Sequence, residues 1–131
     1  MKKDKIIYWA TTGVISLMML FSAYQYISNP QMEEAFKHLG FPGYFRIELA
    51  LAKIVGAAVL LIPQIPARIK EWAYAGFGIV FISASIAHFT SGDPVKNVIM
   101  PVVFLAILIA SNIFLHKLNR AKYIQATLLV D

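Results

Sequence analysis

The sequence predicts an all-α, polytopic membrane protein: a four-transmembrane-helix bundle with a short amphipathic interfacial helix between spans one and two. Of its 131 residues, 59% are hydrophobic and only 15% are charged, whereas a soluble domain is about half apolar and a quarter charged. The apolar residues form four long blocks, and most basic residues lie at the ends of those blocks. This placement is typical of membrane topology, so we expect no nucleic-acid partner despite the net charge of +5.

The first span is predicted over residues 6–27, a run without any charged residue. At about 1.5 Å per residue, this run is long enough to cross roughly 30 Å of hydrocarbon. The basic residues before it resemble the start of a signal peptide, but the apolar core of a signal peptide is only about 7–15 residues long. We therefore expect a retained span.

The short helix is predicted between the first two spans. Asn29 suits the N-cap position, Pro30 the first helical position and Gly40 the position just after the helix. Its apolar residues fall on one face, as expected for a helix lying on the membrane surface. These residues are Met32, Ala35, Phe36 and Leu39.

Three further spans complete a single domain over residues 1–131. Pro63 and Pro66 end the second span, and Trp72 anchors the start of the third at the interface. Asp93-Pro94 is predicted to cap a helix that runs into the fourth span, where Pro101 would bend it. The predicted ranges are 45–62, 72–89 and 98–115, followed by a short cytoplasmic tail over 119–131.

The distribution of Lys and Arg predicts a multi-pass protein of the cell membrane with both termini in the cytoplasm. One side of the predicted bundle carries Lys2, Lys3, Lys5, Arg68, Lys70, Lys117, Arg120 and Lys122. The opposite side carries only Lys37, Lys96 and Arg46.

The second span carries three charged residues, Arg46, Glu48 and Lys53. Its apolar residues favour insertion by roughly 3–6 kcal/mol in total, while one central lysine alone costs about 2.5–3.5 kcal/mol. We therefore expect this span to insert only where neighbouring helices satisfy its charges. Arg46 has a plain alternative, because an arginine at a helix end can reach the headgroups. Lys53, within the span, is a functional candidate by default.

Depth along the predicted helices identifies the neighbours. His88 falls at the level of Arg46 and Glu48, with Ser83 deeper toward Lys53. Glu48 and Lys53 lie about 140° apart around the helix, so direct pairing is not expected. We expect Glu48 to meet His88 or Arg46, and Lys53 to meet Ser83, Tyr24, a carbonyl or water. The predicted outer-leaflet binding site comprises Arg46, Glu48, Lys53, His88, Ser83, Tyr24 and Asp93.

Several motifs carry a resemblance to a known family. They are Arg46-Ile47-Glu48-Leu49-Ala50, Lys53, the stretches 56–63 and 70–76, His88 and Gly92-Asp93-Pro94. In these motifs the chain resembles the DoxX-like family of small four-helix membrane proteins. DoxX and DoxD relatives linked to thiosulfate:quinone oxidoreductase imply a quinone-associated role. The distantly related receptor-assembly chaperone NACHO implies a helper that binds other membrane segments.

Three classes of function stay open at this stage. A non-catalytic binding or assembly protein is the first, with membrane lipids, a small amphiphile, another membrane protein or a second copy of the chain as partners. A quinone-associated subunit of an oxidoreductase system is the alternative, and a small transporter is the third. The chain has no cysteine, so we expect no iron–sulfur, thiol-metal or thiol redox site. Only one histidine falls within a span, so we expect no bis-histidine haem.

Overall fold

The computed structural model describes residues 2–130, and these residues form five α-helices. Four of the helices pack in a closed ring in which α1 contacts α3, α3 contacts α4, α4 contacts α5, and α5 contacts α1. Successive helices of the ring run antiparallel, as in an up-down bundle. The all-helical prediction is confirmed. The helices are α1 (Lys2–Ser28), α2 (Pro30–His38), α3 (Gly43–Leu61), α4 (Ala67–Thr90) and α5 (Val95–Val130).

The outer surface of the ring is apolar. Three helices, α1, α4 and α5, are long and apolar enough to cross a membrane. Large side chains on every helix of the ring point away from the bundle, where a soluble protein would carry polar groups. Among the outward side chains are Leu17, Phe21, Leu51, Val55, Ile79, Ile86 and Ile109. The protein is therefore a helical membrane protein. The 19-residue α3 is not among these three helices, because Arg46, Glu48 and Lys53 leave it without a long stretch that has at most two charged residues.

Each helix of the ring turns one narrow stripe inward. Buried residues recur three or four positions apart, the spacing that keeps side chains on one face of an α-helix. The stripe of α3 includes Ala50, Lys53, Ala57 and Leu60. The stripe of α4 comprises Lys70, Tyr74, Phe77 and Phe81. The stripes of α3 and α4 therefore each contain one lysine.

The bundle has two chemically different ends. We call the end formed by the first turns of α1, the connection 62–66 and α5 beyond residue 115 the basic end. The opposite end holds α2, the connection 39–42 and the turn 91–94, and we call it the histidine end because His38 and His88 lie there.

The local signals that predicted α2 match the structure. The Asn29 side chain accepts a hydrogen bond from the Gln31 amide at 3.0 Å, and Pro30 begins the helix. Gly40 has a φ of 85°, which a glycine adopts without strain. The Phe41 amide then bonds back to the carbonyl of Phe36, closing a Schellman motif with the two rings in contact.

α5 contains the fourth predicted span and extends beyond it at both ends. It starts at Val95, just after Asp93-Pro94, and continues without a break to Val130, so residues 119–130 of the predicted tail are helical; Asp131 lies outside the described residues. Pro101 is accommodated inside α5. Pro101 lacks the amide that would bond to the Asn97 carbonyl. The next carbonyl, that of Val98, accepts a hydrogen bond from the Ser85 hydroxyl at 2.8 Å, which ties α4 to α5 beside the proline.

Gly56 of α3 packs closely against the Phe77 ring of α4. A Cβ placed there would lie 2.6 Å from the Phe77 ring, and that ring is buried. We expect Gly56→Ala to lower the unfolding free energy by about 1–3 kcal/mol through overpacking. Thermal unfolding in detergent micelles measures this effect. Gly76→Ala is the matched control, because nothing lies within 4 Å of a Cβ at Gly76. Equal melting temperatures for the two variants would contradict this account of the α3–α4 contact.

Candidate functional site

Lys53 lies on the inward stripe of α3 and is 4% exposed. Its ammonium donates to the Ser22 hydroxyl at 2.8 Å and lies 3.9 Å from the centroid of the Tyr26 ring. A ring face attracts a cation, most strongly where water is excluded. Within residues 2–130 the three ion pairs all involve a histidine, so no carboxylate neutralises Lys53. Its charge is held by a hydroxyl and an aromatic face, both from α1.

Tyr26 also links the surrounding elements. Its ring packs edge-to-face against Phe36 of α2, with centroids 4.9 Å apart. Its backbone carbonyl lies in the last turn of α1, where carbonyls lack a partner within the helix. The guanidinium of Arg46 donates to that carbonyl. Arg46 therefore fastens the start of α3 to the end of α1, which is a structural role.

Asp93 joins two histidines at the histidine end. One carboxylate oxygen accepts from Nδ1 of His88 at 2.6 Å, and the other accepts from Nε2 of His38 at 2.7 Å. Gly92, with a φ of 73°, closes a Schellman motif in which the Asp93 amide bonds to the carbonyl of His88. The hydrogen bonds from His88 and then His38 lower the pKa of the Asp93 carboxyl.

Lys53 and His88 line one cavity, which we call the inner cavity. Its volume is about 340 Å³, within the usual range for small-ligand sites. Phe81 and Phe104 stack in its wall with centroids 6.1 Å apart. The other lining residues are Met18, Met19, Tyr26, Val80, Ala84, Asn97, Met100 and Pro101. The cavity is therefore mostly apolar, with a few polar groups that face into it.

A second space, the outer groove, lies between α3 and α4. It measures about 580 Å³ and is lined almost entirely by apolar residues, including Leu51, Val55 and Trp72. Lys53 and Val80 line both the outer groove and the inner cavity. Lys53 therefore lies where the two spaces meet.

Several residues that were predicted to contact Lys53 or His88 do not contact them in the structure. Tyr24 and Ser83 are exposed, and Glu48 is exposed and separated from His88, which binds Asp93. Two positions along a helix correspond to about 200° of rotation. Tyr24 therefore points away where Tyr26 points inward. Ser83 differs from Ser85 in the same way, since Ser85 bonds to α5.

The expected capping role of Asp93 is also different in the structure. α5 begins at Val95, and the Asp93 carboxylate accepts from two histidine rings. The sequence signal for this arrangement is the order His88, Gly92, Asp93. A glycine that closes a Schellman motif carries the residue after it back over the last turn of the helix.

The other half of the bundle contains a buried polar network that the sequence did not predict. The Ser111 hydroxyl bonds to both Thr12 and Tyr74 at 2.7 Å. Lys70 is 3% exposed, and its ammonium lies 3.3 Å from the Tyr8 hydroxyl. The sequence signal for the burial of Lys70 is its spacing from Tyr74, Phe77 and Phe81, which places it on the inward stripe of α4. From its charge alone, Lys70 was predicted to lie between the second and third spans.

Comparison with known proteins identifies the family. The model of the DoxX-like family matches residues 10–111. The chain belongs to the DoxX-like family. The match covers α2, α3 and α4 completely, α1 from residue 10 and α5 up to residue 111. The family resemblance expected from the sequence is confirmed. No curated protein and no solved structure matches the chain significantly.

The Asp93 cluster predicts a pH dependence. A carboxyl whose pKa is lowered on folding stabilises the fold above its unfolded pKa, near 3.8, and this stabilisation is lost as the pH falls through the folded pKa. We expect Asp93→Asn to melt below the wild type at pH 7. The difference should persist through pH 4 and disappear only at lower pH. Glu34→Gln, on the exposed face of α2, is the control. A difference that is already lost at pH 5 would contradict the assignment.

Proposed function

We propose that this protein is a non-catalytic binding protein of the cell membrane that takes a small amphiphile into the inner cavity. The observation that carries the proposal is Lys53, a buried ammonium that lines the cavity and lacks a carboxylate partner in the described part of the chain. A lysine has three donors, and Lys53 uses one on Ser22. An anionic or carbonyl oxygen of a ligand would occupy a donor left over.

The shape of the cavity suits an amphiphile. The ligand's polar group would lie between Lys53 and the Asp93-bound His88, and its apolar part would lie along Phe81, Phe104 and the methionines. The outer groove supports entry from the lipid phase, because it reaches Lys53 from the side of the bundle. If the protein instead assists the assembly of membrane proteins, which we call the assembly version of the proposal, a span of another membrane protein or of a second copy occupies the outer groove.

The proposal includes a four-span topology with both termini in the cytoplasm. α3 supports it because its outward face is apolar at Leu51 and Val55, while Lys53 points inward. Its 19 residues extend about 28 Å at the usual helical rise, close to the thickness of the hydrocarbon core. α2 then lies on the outer surface, with Phe36 turned toward the bundle and its charged residues exposed.

Single cysteines test this topology, since the natural chain has none. Glu34→Cys lies on α2, and Gln64→Cys lies in the connection between α3 and α4. In intact cells we expect a membrane-impermeant maleimide to label Glu34→Cys and to leave Gln64→Cys unlabelled until the membrane is opened. If both cysteines are labelled from the same side, α3 does not cross the membrane.

Removal of the ammonium tests the binding function. Lys53→Met keeps an unbranched side chain but loses the donors. We expect the amphiphile enriched with the purified wild type to fall about tenfold or more, because a hydrogen bond to a charged group contributes roughly 1.5–3 kcal/mol. Mass spectrometry of extracted lipids, relative to bulk lipid, measures the enrichment. Ser83→Ala, on the exposed face of α4, is the control.

Two results would contradict the binding proposal. One is the absence of any amphiphile enriched over bulk lipid with the wild type. The other is a Lys53→Met variant that only lowers the yield of folded protein and keeps the same bound molecules. A single enriched membrane protein in place of an amphiphile would favour the assembly version.

A quinone-associated role is the second candidate, and the His88–Asp93 pair beside stacked aromatic rings favours it. Lys53 would donate to one oxygen of a quinone ring held against Phe81 and Phe104, with the His88 ring beside it, and the quinone would supply the redox chemistry. An ultraviolet spectrum of the extract that changes on borohydride reduction would support this role. An enriched amphiphile without that change would exclude it.

A further inference from the structure

A third space, the basic cavity, opens at the basic end of the bundle. Its volume is about 570 Å³, and α1, α4, α5 and the connection 62–66 contribute to it. It shares no lining residue with the inner cavity. Its lining consists of Lys2, Lys5, Tyr8, Trp9, Pro63, Ile65, Ala67, Lys70, Leu115, Leu118, Asn119, Lys122 and Gln125.

Four lysines from three helices converge on this cavity, and among the described residues its lining contains no acidic side chain. Lys2, Lys5 and Lys122 are exposed at its rim, whereas Lys70 is 3% exposed. Lysines of like charge repel one another, so their convergence favours an anion between them.

Lys70 is the deepest of the four. Its ammonium lies 3.3 Å from both the Tyr8 hydroxyl and the carbonyl of Leu60, which are long distances for hydrogen bonds. These two bonds leave a third donor for another acceptor. The rings of Tyr8 and Trp9 lie 5.9 and 5.8 Å from the same ammonium. Lys70 is thus held in place by weak partners with donor capacity to spare.

We propose that the basic cavity binds the phosphate headgroup of an anionic phospholipid. Lysines bind phosphate as point charges, and basic pockets between transmembrane helices suit anionic headgroups. Tyr8 and Trp9 are the residue types that lie at headgroup level. Leu115 and Leu118 continue the lining with apolar surface for the first carbons of the acyl chains. The site is independent of the amphiphile proposed for the inner cavity.

Matched pairs of lysines allow a sharp test. Lys5→Gln/Lys122→Gln removes two charges from the cavity, one on α1 and one on α5. Lys3→Gln/Lys117→Gln removes two charges from the same helices and the same end, but outside the cavity lining. Binding of phosphatidylglycerol, titrated into detergent micelles and followed by native mass spectrometry, is the measurement. We expect roughly a 25-fold loss of affinity for the cavity pair, since each lysine contributes about fivefold, and a loss of less than about threefold for the outer pair.

Three results would overturn the proposal. Equal losses for the two double variants would show only general attraction to a basic surface. Phosphatidylcholine bound as tightly as phosphatidylglycerol would show that the anionic charge is not recognised. Inorganic phosphate that displaces the lipid at an equal concentration would identify a free anion as the ligand.

Lys70→Arg, which keeps the charge, should retain phosphatidylglycerol binding to within about fivefold. Failure of Lys53→Met to alter the inner-cavity ligand would leave this result untouched.

Discussion

In the proposed four-span topology, the cost of exposing charge to hydrocarbon constrains how α3 is oriented in the ring. Lys53 occupies the inward stripe between Ala50 and Ala57, where it meets the Ser22 hydroxyl and the face of Tyr26. Rotating α3 by half a turn would place the ammonium in lipid and bring Leu51 or Val55 into the bundle. Because both partners of Lys53 belong to α1, the α1–α3 contact and the rotation of α3 are set by the same interaction.

The way in which the helices terminate determines which charged groups lie at each end of the bundle. At the histidine end, two Schellman motifs return the chain over the preceding helix, placing Phe41 on Phe36 and Asp93 on His88. The bond from His38 to Asp93 ties these two turns together across the end of the bundle. At the basic end, α5 extends past the other helices and leaves a cavity beside the lysines. One end is closed by the Asp93–histidine pairs, and the cavity at the other end is lined by lysines without an acidic side chain among the described residues.

The sequence predicted helix identity well and side-chain direction less well. Long apolar runs and the Asn29 and Gly40 signals place four ring helices and α2, because they depend on local chemistry alone. The position of a residue along its helix also predicts its depth in the bundle. Lys53 and His88 were expected in the same half of the bundle, and they line one cavity. The rotation of each helix depends on its packing partners, which is why Tyr26 and Ser85 face inward where Tyr24 and Ser83 were expected. The spacing of three or four residues between the buried positions of a stripe predicts part of this rotation.

The position of Lys53 between two spaces gives the proposed binding function its physical basis. A ligand that moves between the outer groove and the inner cavity passes Lys53 and Val80, which line both spaces. A purely apolar molecule gains nothing from the ammonium. A molecule with an oxygen acceptor gains a charge-assisted hydrogen bond from a donor that Lys53 does not use on Ser22, and such a bond is stronger where water is excluded. The same residue that orients α3 therefore also discriminates amphiphiles from the surrounding lipid chains in this proposal.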